Sequence, residues 1–167
     1  MQRTMSSEEL AKYTSQIKNP SQVFELFLHH YVTGDTWIRS RGEEDISVWD
    51  KLKGYELEIA KQIILDELKI VPDSSYIRAV SIFKDERAIP TLKKIVETYS
   101  EKYILEKLRA AKILYDFVGY KDYIPMLEDA CRNRDNGLHN YFKYFINQYI
   151  EGLEKKDRKK IMKALER

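Results

Sequence analysis

Two segments of the chain repeat each other: Ile77-Arg-Ala-Val-Ser-Ile-Phe-Lys-Asp-Glu-Arg-Ala-Ile-Pro-Thr-Leu92 and Leu108-Arg-Ala-Ala-Lys-Ile-Leu-Tyr-Asp-Phe-Val-Gly-Tyr-Lys-Asp-Tyr-Ile-Pro-Met-Leu127. Each segment begins with an aliphatic residue, an arginine and an alanine. Each then places an acidic residue shortly before an Ile-Pro-x-Leu run. Self-similarity of this kind is typical of repeat architectures.

The spacing inside the two segments is compatible with helices. Arg78 and Pro90 are 12 positions apart, and Arg109 and Pro125 are 16 positions apart. The difference of four residues is about one helical turn, so corresponding helix faces stay in register. Both prolines are predicted in the first turn of a helix, where the missing N–H costs little.

The Asp-x-x-Ala-Ile-Pro-x-Leu run at residues 85–92 resembles the short bacterial form of the HEAT-like helical repeats. The second copy keeps Ile-Pro-Met-Leu at residues 124–127 and has Tyr123 in place of the alanine. The resemblance implies an all-α protein, a right-handed α-solenoid of stacked antiparallel helix pairs over residues 55–167. Residues 1–54 are interpreted as divergent N-terminal helices with an irregular segment, and the whole as one structural domain.

Apolar residues recur at helical spacing along the rest of the chain, and no segment alternates with a period of two, so no strand is predicted. Ser6 and Glu9 form a capping box, and Ser21 and Asp73 are placed to cap helices. The apolar pattern predicts helices within residues 6–17, 21–34, 47–54, 56–71, 73–83, 85–99, 105–119, 122–131, 138–150 and 157–165. Gly34 is expected to end its helix in the left-handed conformation, and Gly54 to break one.

Composition and charge exclude several classes of protein. The 167 residues are 43% hydrophobic, which is enough for a core, and no apolar run is long enough for a signal peptide or a membrane span. The sequence therefore predicts a cytoplasmic protein without membrane contact. The net charge is +2, and residues 151–167 carry 7 basic against 4 acidic side chains. Because the rest of the chain is balanced, nucleic-acid binding is not predicted.

No catalytic or metal-binding motif stands out. His29 and His30 are adjacent, so their side chains diverge on a helix and do not converge on a metal. Cys131 is the sole cysteine and is predicted to be a buried structural thiol. The glycines do not cluster into a phosphate-binding loop. We therefore predict no cofactor, no metal and no enzymatic activity.

One enzyme class shares the HEAT-like architecture, the alkylpurine DNA glycosylases. The resemblance implies tryptophan, aspartate and arginine side chains near a lesion, which invites comparison with Trp37, Arg39, Arg41, Trp49 and Asp50. These residues lie outside the repeats, and no motif carries a role over to any of them. This activity is the most remote of the alternatives.

The candidate partner-binding residues fall into two groups. The second helices of the pairs, which line the concave face of such solenoids, carry Arg78, Arg109, Lys112, Tyr141 and Tyr144. The two arginines either contact a partner or make structural hydrogen bonds between helices. The two tyrosines cannot both face the core if Phe142 and Phe145 do, so one of them is expected to be displayed.

The second group lies in the irregular segment 35–45, with Trp37, Arg39 and Arg41. An irregular connection of this length is uncommon in compact domains. The segment either binds a partner, or Trp37 and Trp49 fold down to close the N-terminal end of the solenoid.

These observations predict a non-catalytic protein-interaction module that binds an unidentified protein or peptide. The alternative is an immunity or antitoxin protein that neutralises a cognate toxin, since this role also needs only a complementary surface. The oligomeric state is left open.

Overall fold

The computed structural model describes residues 3–34, 45–133 and 137–166, and every regular element in them is a helix. This confirms the all-α prediction for the described part of the chain. The stacking of the helices as a solenoid stays a prediction.

Ten α-helices follow each other along the described residues. Short 3₁₀ or π-helical turns adjoin some of them. A π-helical turn, Leu28–Thr33, continues α2, and 3₁₀ turns at Glu86–Ala88 and Glu101–Tyr103 precede α6 and α7. The helices are α1 Ser7–Thr14, α2 Gln22–Phe27, α3 Val48–Lys51, α4 Gly54–Ile70, α5 Ser74–Phe83, α6 Ile89–Thr98, α7 Ile104–Val118, α8 Tyr123–Arg132, α9 Leu138–Ile150 and α10 Lys155–Glu166.

Local sequence signals account for the starts of α1, α2 and α5. Ser6 and Glu9 form the predicted capping box, and the Ser21 hydroxyl accepts a hydrogen bond from the backbone N–H of Phe24. The Asp73 carboxylate accepts one from Ser75. These bonds satisfy amide groups that have no partner within their helix.

Two glycines differ in detail from their predictions. The short helix α3 ends at Lys51, so the predicted break falls just before Gly54, which begins α4 with a φ of +54°. Gly34 ends the π-helical turn with φ −74° and ψ 178°, which is not the left-handed conformation. The reason for a glycine at position 34 is a close approach: an added Cβ would lie 1.9 Å from the His29 carbonyl oxygen.

The chain divides into two compact units, Met1–Thr91 and Leu92–Arg167. The predicted distinction between residues 1–54 and 55–167 stays a prediction. In the first unit, an aromatic cluster joins the segment around α2 to α3 and α5. The ring of Trp49 lies 5.4 Å from those of Phe27 and Tyr31 and 4.9 Å from that of Phe83, and Trp49 is only 5% exposed.

In the second unit, α8 is the central helix. It packs against α7, α9 and α10, and α9 also packs against α10. The fully buried Leu108, Leu127 and Phe142 belong to its core. The buried Tyr123 hydroxyl donates a 2.6 Å hydrogen bond to the carbonyl of Tyr149 in the last turn of α9. This bond provides a partner for one of the carbonyl groups that a helix end leaves free.

Candidate functional site

Helix α9 displays two large aromatic side chains. Tyr144 is 81% exposed and Phe145 is 43% exposed, whereas Phe142 is fully buried. The expected display of a tyrosine at 141 or 144 is therefore met by Tyr144. The condition of that argument holds for Phe142 but not for Phe145, because α9 packs on α8 and α10, and these helices do not cover the whole apolar stripe.

Tyr141 connects this exposed pair to the interior. Its ring centroid lies 4.8 Å from that of Phe145, and Tyr144 is its neighbour one turn further along the helix. The Tyr141 hydroxyl accepts a 3.2 Å hydrogen bond from the Arg109 guanidinium of α7 and lies 3.3 Å from the Tyr149 hydroxyl. We call Tyr141, Tyr144 and Phe145 the α9 aromatic surface.

Arg109 and Tyr149 are polar groups under this surface. Burial lowers the pKa of Arg109, but the nearby Tyr149 and Tyr141 hydroxyls outweigh burial, so its pKa is above the ordinary value. Burial raises the pKa of Tyr149, which therefore keeps its proton at neutral pH. The hydrogen bond from Arg109 thus fixes the position of the Tyr141 hydroxyl. A direct contact of Arg109 with a partner stays a prediction.

The other candidate residues are not brought to this surface by a described contact. Lys112 forms a 2.6 Å ion pair with Asp116 on its own helix. Arg78 is half-buried in α5 of the first unit. Trp37, Arg39 and Arg41 lie outside the described residues. Phe145 is the residue that sequence reasoning missed, and its helical spacing from Tyr141 was the available signal.

The residues compared with the DNA glycosylases have different environments. Trp49 is packed inside the aromatic cluster of the first unit, whereas Asp50 is exposed. The buried Trp49 ring is not available to stack on a base.

The environments of Cys131 and His139 bear on nucleophilic and metal chemistry. Cys131 is fully buried as predicted, and burial raises the pKa of its thiol to about 12. Such a thiol is protonated at neutral pH and is a poor nucleophile. The His139 Nδ1 atom lies 2.8 Å from the Cys131 carbonyl oxygen. Within the described ranges, no three His, Cys, Asp or Glu side chains are grouped to hold a metal ion.

An ion pair between the buried Glu128 carboxylate and Lys160 connects α8 with α10. Glu128 is 7% exposed and pairs with Arg132 on its own helix and with Lys160 of α10, whose Nζ lies 2.5 Å from the carboxylate. The Lys160 hydrogen bond, opposed by burial and assisted by Arg132, lowers the pKa of Glu128 below its usual range. The carboxylate is thus stabilised in its charged form.

Replacing Lys160 should make the stability of the fold depend less on pH in the acidic range. A lowered pKa in the folded state stabilises the fold above the ordinary glutamate pKa, and this contribution is lost as the pH falls through the lowered value. In Lys160→Gln, the pKa of Glu128 should rise toward its ordinary value, and stability at neutral pH should fall by roughly 0.5–1 kcal/mol. Carboxyl NMR titration and thermal melts between neutral and acidic pH measure both effects.

Lys159→Gln is the matched control, because Lys159 is exposed on the same helix and the change in net charge is identical. It should leave the pKa of Glu128 unaltered. An unchanged pKa of Glu128 in Lys160→Gln would contradict the role given to this ion pair.

None of the described helices combines the length and the apolar character that a membrane crossing requires. The chemistry that the α9 aromatic surface offers is apolar contact together with hydroxyl groups that donate and accept hydrogen bonds. Tyrosine is among the residue types that contribute most to binding at protein interfaces. Comparison of the chain with protein-family models, with curated proteins and with solved structures gave no match.

Proposed function

We propose that the protein is a non-catalytic interaction module that binds a protein partner through the α9 aromatic surface. The observation that carries this proposal is the exposure of Tyr144 and Phe145, at 81% and 43%, on either side of the helix position one turn after Tyr141. Single exposed apolar side chains are ordinary, whereas contiguous exposed apolar patches mark interaction sites.

The energetics favour a partner that covers both rings. Burying one large apolar side chain contributes roughly 1.5–3 kcal/mol. Tyr141 is already held by its hydrogen bond with Arg109 and by the ring of Phe145, so less side-chain freedom is lost on binding. A surface that is both apolar and prearranged supports specific recognition.

Polar side chains surround these rings. Lys143, Asn147 and Gln148 are exposed on the same helix. An apolar centre with a polar rim is the usual composition of a protein interface. The partner we propose therefore packs an apolar side chain against these rings and meets the rim with hydrogen-bond acceptors.

We further propose that the helices stack in the manner of HEAT-like repeats. Two features of the second unit support this: α8 packs against both the next helix and the next but one, α9 and α10. Arg109 of α7 likewise reaches Tyr141 of α9. Contacts between helices two apart in sequence are what stacked helix pairs produce.

Photo-crosslinking tests the binding surface directly. A photoreactive phenylalanine analogue placed at position 144 of the full chain should trap a partner in extract of its native cells, because the ring is exposed where binding is proposed. The same analogue at position 55 is the control, since Tyr55 is 56% exposed on α4 of the first unit. A trapped protein specific to position 144 is the expected result.

The trapped protein then serves as the ligand in a binding assay. Tyr144→Ala combined with Phe145→Ser should weaken its affinity at least tenfold, as expected when exposed aromatic anchors are removed. Tyr55→Ala should leave affinity within twofold. Equal trapping at both positions, or unaltered affinity of the double variant, would count against this surface. A toxin as the trapped protein would identify the immunity alternative.

A further inference from the structure

The second unit contains a groove that is distinct from the α9 aromatic surface. It lies where the end of α6 and the start of α7 face α8, and its volume is about 680 Å³. Volumes in this range are typical of ligand-binding clefts. Val96, Ile104 and Met126 provide an apolar floor, and Val96 is nearly buried while the other two are half-buried. We call this feature the acidic groove, after the carboxylates among its lining residues.

Carboxylates dominate the rim. The described residues that line the groove include four carboxylates, Glu97, Glu101, Asp122 and Asp129, and one ammonium group, that of Lys107. The Lys107 Nζ is paired with Glu101 at 2.6 Å, and its side chain is only 12% exposed. The other three carboxylates are exposed and set the sign of the potential in the groove.

The negative potential also affects the pKa of Tyr120, which lines the groove. Burial raises the pKa of Tyr120, and the neighbouring carboxylates of Asp122 and Glu97 raise it further. The local field is opposite in sign to the charge of the whole chain, which is +2. Attraction of a cationic ligand must therefore come from the groove and not from the molecule as a whole.

We propose that the acidic groove binds a basic peptide segment. An apolar side chain of the peptide lies on the floor beside Met126 and Ile104, while its lysine or arginine side chains reach the carboxylates of Glu97 and Asp129. Charge complementarity excludes nucleic acid and anionic lipid from this site, because both would meet the same carboxylates. The arrangement also differs from a metal site, since no three acidic side chains among the described residues are grouped closely enough to hold a metal ion.

The test uses a defined probe. An end-capped ten-residue peptide of alternating lysine and leucine is titrated into the full-length protein, followed by calorimetry and by amide NMR shifts. The matched peptide carries glutamine in place of lysine. We expect the lysine peptide to shift the amides of Lys107, Met126 and Asn133, which line the groove, and the glutamine peptide to bind at least tenfold more weakly.

Two double variants distinguish the effect of the groove carboxylates on peptide affinity from the effect of net charge. Glu97→Gln with Asp129→Asn should weaken the lysine peptide roughly threefold to tenfold, the effect of two exposed charge contacts. Glu25→Gln with Glu86→Gln removes the same charge from exposed positions of the first unit and should change affinity less than twofold. Met126→Gln, checked for folding by thermal melting, should also weaken binding.

Several outcomes would overturn the proposal. They are the absence of peptide binding, equal binding of the glutamine peptide, and equal losses in the two charge variants. The α9 aromatic surface fails or succeeds separately, because Tyr144→Ala with Phe145→Ser should leave binding of the lysine peptide unchanged.

Discussion

Shortening Leu108 or Ile64 to alanine should lower the free energy of unfolding by about 2–5 kcal/mol, the usual cost of a large-to-small change in a core. Both side chains are 0% exposed. Alanine removes apolar contacts and leaves a cavity that the neighbouring helices close only in part. Leu108 lies in α7 of the second unit and Ile64 in α4 of the first, so each variant examines a separate core.

Each variant has a control on its own helix. Ile70→Ala in α4 and Val118→Ala in α7 alter side chains that are 55% and 53% exposed. These changes should alter stability by no more than about 0.5 kcal/mol. Chemical denaturation followed by circular dichroism measures all four. If the units unfold in separate steps, Ile64→Ala should shift one step and Leu108→Ala the other. A core variant that melts like its control would show that the buried face is misassigned.

The starts of α2 and α5 were predictable because their causes are local. Ser21 and Asp73 lie a few residues from the amide groups that they cap, so the sequence around them contains both partners of each bond. The two prolines also lie in the first turns of α6 and α8 as predicted, at positions where their missing N–H has no helical acceptor. Such signals need no knowledge of the tertiary structure.

The candidate sites depend on partners that are distant in sequence. Arg109 and Tyr141 are 32 positions apart, and nothing in the spacing of either helix pairs them. The acidic groove combines residues from Val96 to Leu138, on four helices and their connections. Phe145 continues the apolar stripe of α9, and only the position of neighbouring helices determines that it is exposed. These features become visible once the helices are packed.

The turn at Leu28–Thr33 shows the same limit within one helix. The apolar spacing of Phe24, Phe27 and Tyr31 is compatible with a regular α-helix, yet the chain adopts a π-helical turn there. In this wider turn the Thr33 hydroxyl donates a 3.2 Å hydrogen bond to the Leu28 carbonyl five residues earlier. The following residue, Gly34, is then brought against the backbone of His29.

Replacing Gly34 by alanine should therefore destabilise the first unit by roughly 1–3 kcal/mol, the usual cost of forcing extra atoms into a packed site. The added Cβ would lie 1.9 Å from the His29 carbonyl oxygen. Because the obstacle is backbone, no rotamer change relieves it, and the π-helical turn has to shift. Tyr31 and Val32 lie in that turn with 0% and 2% exposure, so its movement disturbs the core.

The dihedral angles alone predict the opposite result, which makes the test decisive. At the ordinary φ of Gly34, −74°, a change from glycine to alanine should stabilise by about 0.4–1 kcal/mol through the unfolded state. Gly54→Ala is the control for backbone conformation: its φ of +54° is unfavourable, but no atom lies within 4 Å of the added Cβ. Its cost should be limited to about 1–2 kcal/mol. Thermal and chemical unfolding measure both variants. A Gly34→Ala protein as stable as the parent would show that the His29 carbonyl yields without cost, whereas the expected loss assigns this glycine to the close approach that the π-helical turn imposes.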